Sequence, residues 1–161
     1  MIQLLGEFDC TMDAKGRIRL PSGLLKQLGE EGSAFVLNKG FEKHLTLYPK
    51  SVWDSTVEKF SSLNNYDNDT RNFLRRFHNG ATNIDIDDQS RILIPKRLLE
   101  YGGMEKDVIL SCFGDKIEIW DASEYERSVN NDDVSMAELA QKVLGDNKWN
   151  NDELGMINDE F

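Results

Sequence analysis

The chain has 161 residues, of which 29 are acidic and 19 basic, giving a formal net charge of −10. That length supports one compact domain or two small halves around a modest core. No stretch approaches the ~20 apolar residues of a membrane span, the opening Met1-Ile2-Gln3-Leu4-Leu5-Gly6-Glu7 lacks the basic start of a signal peptide, and the acidic balance argues against a broadly basic nucleic-acid module.

The first readable element is Asp13-Ala14-Lys15-Gly16-Arg17, a turn in which Asp accepts from the backbone two residues on and Gly tolerates a positive φ. Strand-like residues flank it, and Pro21 then ends the ladder and opens a helix, since it lacks an N–H and its φ is fixed. Leu24, Leu25 and Leu28 fall at helical spacing, with Gly29 as the stop. Strands follow at Phe35–Leu37 and Leu45–Tyr48.

The middle of the chain reads as two helices. Ser51–Leu63 carries Val52, Val57 and Phe60, with Ser51 placed to cap it. After a polar break over residues 64–69, Thr70–His78 sets Phe73, Leu74 and Phe77 on one face and Arg71, Arg75 and Arg76 on the other. Those arginines read first as a solvated face paired with nearby acids; a subunit interface or a DNA backbone contact are the alternatives. Gly80 closes the helix.

From Thr82 the chain repeats itself. A strand over Thr82–Ile86 leads to Asp87-Asp88-Gln89-Ser90-Arg91, then Ile92-Leu93-Ile94-Pro95, Leu98, Leu99 and Gly103. Each lies 74 positions after its counterpart: 13 to 87, 17 to 91, 21 to 95, 29 to 103. Later pairs, Leu45/Ile117, Leu47/Ile119 and Tyr48/Trp120, agree at an offset of 72. Two copies are too few for a solenoid, so the halves read as a pseudo-dimer completing one another. Ser90 stands where the first turn has Gly16, which predicts a differently shaped second loop, because Ser resists a positive φ.

Beyond the repeat, Val134, Met136, Leu139, Ala140, Val143 and Leu144 follow helical periodicity, with Asp133 as the expected cap, and that helix is expected to dock on a neighbour. After Gly145 the composition turns to Asn, Asp and Glu with scattered apolar residues, as in a solubilising or loosely held tail. Charge is uneven. Residues 121–161 carry a net −8 and residues 1–120 a net −2, while Lys15, Arg17 and Arg19 outnumber Asp13 in the first turn. A phosphate responds to that local field, because charges beyond ~8–10 Å are screened at physiological salt.

Paired turns of the form Asp-x-x-x-Arg, each running through a short strand into Pro, resemble the MraZ family of bacterial transcriptional regulators, over roughly residues 1 to 145. The opening Gly6-Glu7-Phe8 and the closing Glu118-Ile119-Trp120-Asp121 are similar to the family too. The resemblance implies a mainly β chain with peripheral α-helices: a split, swapped β-barrel of the SpoVT-AbrB type. It divides the chain into half-domains at 5–52 and 81–125, connecting helices at 53–80, and a C-terminal helix and acidic tail at 126–161. It also implies a ring-like homo-oligomer in the cytoplasm, at the nucleoid, binding repeated short boxes of double-stranded DNA and acting on the division and cell-wall gene cluster. Lys15, Arg17, Arg19 and Arg91 are then the DNA-contacting residues, held by the turn residues Asp13, Gly16 and Asp87. Arg suits this role because its fork bonds bases or phosphates bidentately. The other reading of both arginines is an internal ion pair, Asp13 with Arg17 and Asp87 with Arg91, that holds the loop.

Other functions have weaker support. Asp85, Asp87 and Asp88 cluster as acid–base groups could, yet Asp85 and Asp87 alternate outward with Ile84 and Ile86, and the first copy has Thr11 and Ala14 at the places of Asp85 and Asp88. No nucleophile set or phosphate loop is present, so no catalysis, cofactor or small-molecule substrate is expected. Cys10 and Cys112 read as small buried hydrophobes of a reducing compartment, and His44 and His78 do not complete a metal site. An antitoxin-like role, with the acidic end binding a basic protein, is the alternative to gene regulation.

Overall fold

The computed structural model describes residues 2–131 and 133–146. The chain divides into two compact units, residues 1–125 and 126–161. Elements run as β1 (Glu7–Thr11), β2 (Arg17–Arg19), α1 (Ser22–Leu28), β3 (Ala34–Lys39), β4 (Leu45–Pro49), α2 (Lys50–Lys59) and α3 (Asn68–His78). The second copy gives β5 (Thr82–Asp85), β6 (Arg91–Leu93), α4 (Lys96–Gly102), β7 (Asp107–Phe113), β8 (Lys116–Asp121) and α5 (Ala122–Val129). The C-terminal unit holds α6 (Met136–Asp146).

Helical residues outnumber strand residues, so the expected mainly β chain is corrected to a mixed α/β fold with antiparallel sheets. The cause is local: the ribbon strands are only three residues long, while the segments between and after the repeats are amphipathic helices. One sheet has the order β1-β7-β8-β4-β3-β5, and a second contains only β2 and β6. The halves exchange strands. β1 of the first copy pairs with β7 of the second, and β5 of the second pairs with β3 of the first. The order is therefore symmetric about the β8–β4 junction, where Leu45 faces Ile119 and Leu47 faces Ile117.

The fall in repeat offset from 74 to 72 occurs in two single-residue steps. Phe35 sits opposite Ile84 as Val108 sits opposite Cys10, which places β3 and β7 at an offset of 73. The first step lies in the 3-10 turn Gly29–Ser33, absent in that form after Gly103, and the second in the longer β3–β4 loop. Ile18, Leu24, Leu37, Leu47, Ile92, Leu98, Leu110 and Ile119 are fully buried and form the core both copies share. Truncating any of these to Ala costs about 2–5 kcal/mol.

Three cap assignments change. Pro49, not Ser51, precedes α2, and the Ser51 hydroxyl donates to Glu31 instead. α3 starts two residues early because Asp67 caps it, its Oδ2 accepting from the Thr70 N–H at 3.1 Å. Ser135 rather than Asp133 caps α6, its hydroxyl accepting from the Glu138 N–H at 3.1 Å. α2 and α3 meet through rings, with Trp53 stacked on Phe77 and Phe60 edge-on to Phe73 and Phe77. The acidic tail expected after Gly145 lies, from residue 147 on, outside the described residues. Among the described residues, no helix is long and apolar enough to cross a membrane.

Candidate nucleic-acid interface

Each turn is built around one aspartate. Asp13 Oδ1 accepts from the N–H groups of Lys15 and Arg17 at 3.0 and 2.9 Å, and its Oδ2 accepts from Arg17 Nε at 2.6 Å. Backbone bonds close the loop, Gly16 N to Asp13 O and Asp13 N to Arg17 O, both 3.0 Å. The second turn repeats this bond for bond. Asp87 Oδ1 takes the N–H groups of Gln89 and Arg91 at 2.9 and 2.8 Å, and Oδ2 takes Arg91 Nε at 2.9 Å. Ser90 adopts φ +61° beside Gly16 at +86°, so the expectation of a differently shaped second loop is overturned. The hydrogen bonds of the turn outweigh one unfavourable backbone angle.

The bonds account for the acidity of both carboxyls. The Arg17 N–H lowers the Asp13 pKa most; desolvation opposes it, and the Arg17 side chain and the Lys15 N–H lower it further. Asp87 is held down in the same way by Arg91 and then Gln89. Both carboxylates therefore stay ionised and keep their arginines oriented. The internal ion pair and an outward role are compatible: only Nε is committed, and no further side-chain hydrogen bond of Arg17 or Arg91 is present among the described residues.

β2 and β6 bring the turns onto one ribbon. Ile18 faces Ile92, both fully buried, so the flanking pairs Arg17–Leu93 and Arg19–Arg91 project from the opposite face. Because the strands are antiparallel, the turns lie at opposite ends of this ribbon. Reciprocal bonds anchor them, Leu20 N to Ser90 O at 2.8 Å and Ile94 N to Gly16 O at 3.0 Å. Arg17, Arg19 and Arg91 thus share one outward face of the ribbon, Arg19 exposed and Arg17 and Arg91 half-buried, and Lys15 lies exposed in the turn that leads into β2. Leu93, 55% exposed where the first copy has Arg19, belongs to that surface too and escaped sequence reasoning. Its signal was present in the repeat, since 19 and 93 differ by 74.

The remaining reactive groups lie elsewhere. Burial raises the thiol pKa of Cys10 and of Cys112, and both are free. No group of three His, Cys, Asp or Glu able to hold a metal occurs among the described residues.

A family model described as "MraZ protein, putative antitoxin-like" matches residues 3–76 and again 77–147. The chain belongs to the MraZ family. It is 38% identical to the transcriptional regulator MraZ of Flavobacterium psychrophilum over 160 residues, covering 97% of this chain and 99% of that protein. The MraZ of Christiangramia forsetii is 36% identical over 92% of this chain and 97% of its own length. That of Thermoanaerobacter pseudethanolicus is 41% identical over 87% and 96%. MraZ proteins are transcriptional regulators and not enzymes. The two model matches meet at residue 76/77, whereas the pairing of β1 with β7 and β3 with β5 crosses that point.

Proposed function

We propose that this chain is a sequence-specific DNA-binding regulator of transcription, with Arg17, Lys15, Arg19 and Arg91 as its DNA contacts. One observation carries the reading: two Asp-anchored arginine turns of identical bonding stand at the two ends of a single antiparallel ribbon. Such a pair presents guanidinium forks with a fixed spacing and orientation, which is what base-edge recognition requires. The relatives' names support gene regulation. The exchange of β1 and β5 between the halves supports closure into the swapped barrel of the SpoVT-AbrB type, with half-domains at 5–52 and 81–125. The ribbon's charge is small, because Asp13, Asp87 and Asp88 oppose four cations. Affinity therefore comes from repetition in a homo-oligomer on repeated short boxes, where linked sites raise effective concentration. The proposed targets are the division and cell-wall cluster, repressed in the cytoplasm at the nucleoid.

The test is selection of bound fragments from the source organism's genomic DNA, followed by titration of Arg17→Ala on the selected boxes. A bidentate contact is worth about 1–3 kcal/mol, so binding weakens strongly while the thermal melt changes little. Wild-type affinity in Arg17→Ala, or no enriched fragment, overturns the reading. Co-purification of a small basic protein in place of DNA would favour the antitoxin-like role.

A further inference from the structure

A groove of about 740 Å³ opens between the β3–β4 loop, α3 and α4, and none of the ribbon residues lines it. Its walls include Phe41, which is 84% exposed, Phe73 at 39% and Tyr101 at 36%. Lys39, Arg75 and Arg76 line it with these rings, against one lining acid, Asp69. Lys39 donates to Asn79 Oδ1 at 2.7 Å and lies over the Tyr101 ring, so no acid neutralises it. Neither Arg75 nor Arg76 has an ion pair among the described residues. The loop is held in position: the Tyr101 hydroxyl donates to the carbonyls of Gly40 and Glu42, which fixes Phe41 at the groove mouth. An apolar floor with uncompensated cations is a docking surface for an amphipathic acidic segment.

The same sequence contains an amphipathic helix of net charge −1, α6, with Glu138 and Asp146 against Lys142, inside a strongly acidic stretch. α6 exposes Met136 at 63% and Leu139 at 44% along one side, and Glu138 lies in its first turn. Residues 126–161 carry nine acids against three bases. We propose that α6 of one copy docks in the Lys39–Arg75–Arg76 groove of a second copy. Met136 and Leu139 pack on Phe41 and Phe73, and Glu138 faces the arginines. The contact joins unlike surfaces, so it is heterologous and propagates from copy to copy until a ring closes. This deepens the homo-oligomer reading of the proposed function by naming the surfaces that meet.

The experiment uses the full chain and reads mass by light scattering across micromolar concentrations. Arg75→Glu/Arg76→Glu and Met136→Asp/Leu139→Asp each weaken assembly at least tenfold and leave a single cooperative melt, lowered by a few degrees at most in the arginine variant, since all four side chains are exposed and only the arginines lie in a helix's last turn. Adding Glu138→Arg to the Arg75→Glu/Arg76→Glu variant restores part of the assembly. Mixing the groove variant with the helix variant regenerates one intact contact and yields a heterodimer, an outcome that docking of α6 within its own chain forbids. A monomeric wild type sinks the oligomer reading itself. Normal assembly in both variants leaves that reading standing and overturns the groove, as does a loss of DNA affinity in Arg75→Glu/Arg76→Glu at unchanged mass.

Discussion

Ser90 holds a φ of +61°, in the same left-handed region as its counterpart Gly16 at +86°. A side chain there costs about 1–2 kcal/mol, whereas Gly loses roughly 0.5–1 kcal/mol more backbone entropy on folding. Ser90→Gly is therefore expected to stabilise by about 0.5–1 kcal/mol, raising the melting temperature by about 1–4 °C. Gly16→Ala runs the other way. Its Cβ would stand 3.1 Å from Leu99 Cδ1 and 3.3 Å from the Ile94 carbonyl oxygen, so strain at that angle costs about 1–3 kcal/mol. Thermal melts of the two variants check the sign of each; a lower melting temperature for Ser90→Gly would show that the hydroxyl stabilises the turn.

Acid should loosen both turns together. The native pKa of Asp13 and of Asp87 is lowered, chiefly by the N–H groups of Arg17 and Arg91. The unfolded chain therefore takes up these protons first as pH falls. The stabilisation is complete above the ordinary carboxylate range, starts to fade near pH ~5, and is lost as pH drops through the lowered native values. Asp13→Asn/Asp87→Asn should flatten this acid limb of melting temperature against pH. Retention of the full limb in the double variant would assign it to other carboxylates.

Much of this arrangement was legible in the residues. The repeat at 74 positions located both turns, both prolines and both short helices, because a turn's chemistry is local: Asp, its acceptor geometry and a positive φ lie within five residues. What was illegible depended on partners far apart in the chain. The pairing of Arg19 with Arg91 follows from β2 meeting β6, and nothing in either strand alone specifies the other. The caps failed for a related reason. Ser51 looks like an N-cap by position, yet Glu31, 20 residues earlier, takes its hydroxyl.

A second pH dependence comes from a buried base. His44 is 3% exposed, stacks on Trp120 with ring centres 4.5 Å apart, and brings Nε2 to 3.4 Å from Glu118, while Nδ1 has no partner among the described residues. Burial lowers its pKa, against the pull of Glu118 and then Glu42. A base with a lowered native pKa gives stability that is present above its unfolded value, about 6.5, and fades as pH falls toward the native one. Melting temperature should thus decline between pH ~7 and ~5, before the aspartate limb begins. His44→Phe keeps a ring against Trp120 without a titrating nitrogen, and should remove that early decline. An unchanged slope would place the titration elsewhere.

The two turns share their bonding but differ at the tip, where Lys15 in the first corresponds to Gln89 in the second, both exposed. If the ribbon face meets DNA, this difference, together with Ala14 against the acidic Asp88 beside it, sets how much each end owes to counterion release. A lysine on a phosphate contributes close to one unit of slope in the logarithm of affinity against the logarithm of salt, and Gln contributes none. Lys15→Gln should therefore weaken binding to the selected boxes almost uniformly across sequences and flatten the slope by about one unit for each phosphate no longer neutralised. Gln89→Lys should steepen it by the same amount and tighten binding at low salt. Neither substitution disturbs folding, because Asp13 and Asp87 bond the backbone N–H at these positions and leave the side chains outside the turn. Titrations at four or five salt concentrations read both slopes. A wild-type slope in both variants would put the tips away from the phosphates, while a change in base preference with Gln89→Lys would mean that Gln89 reads a base edge.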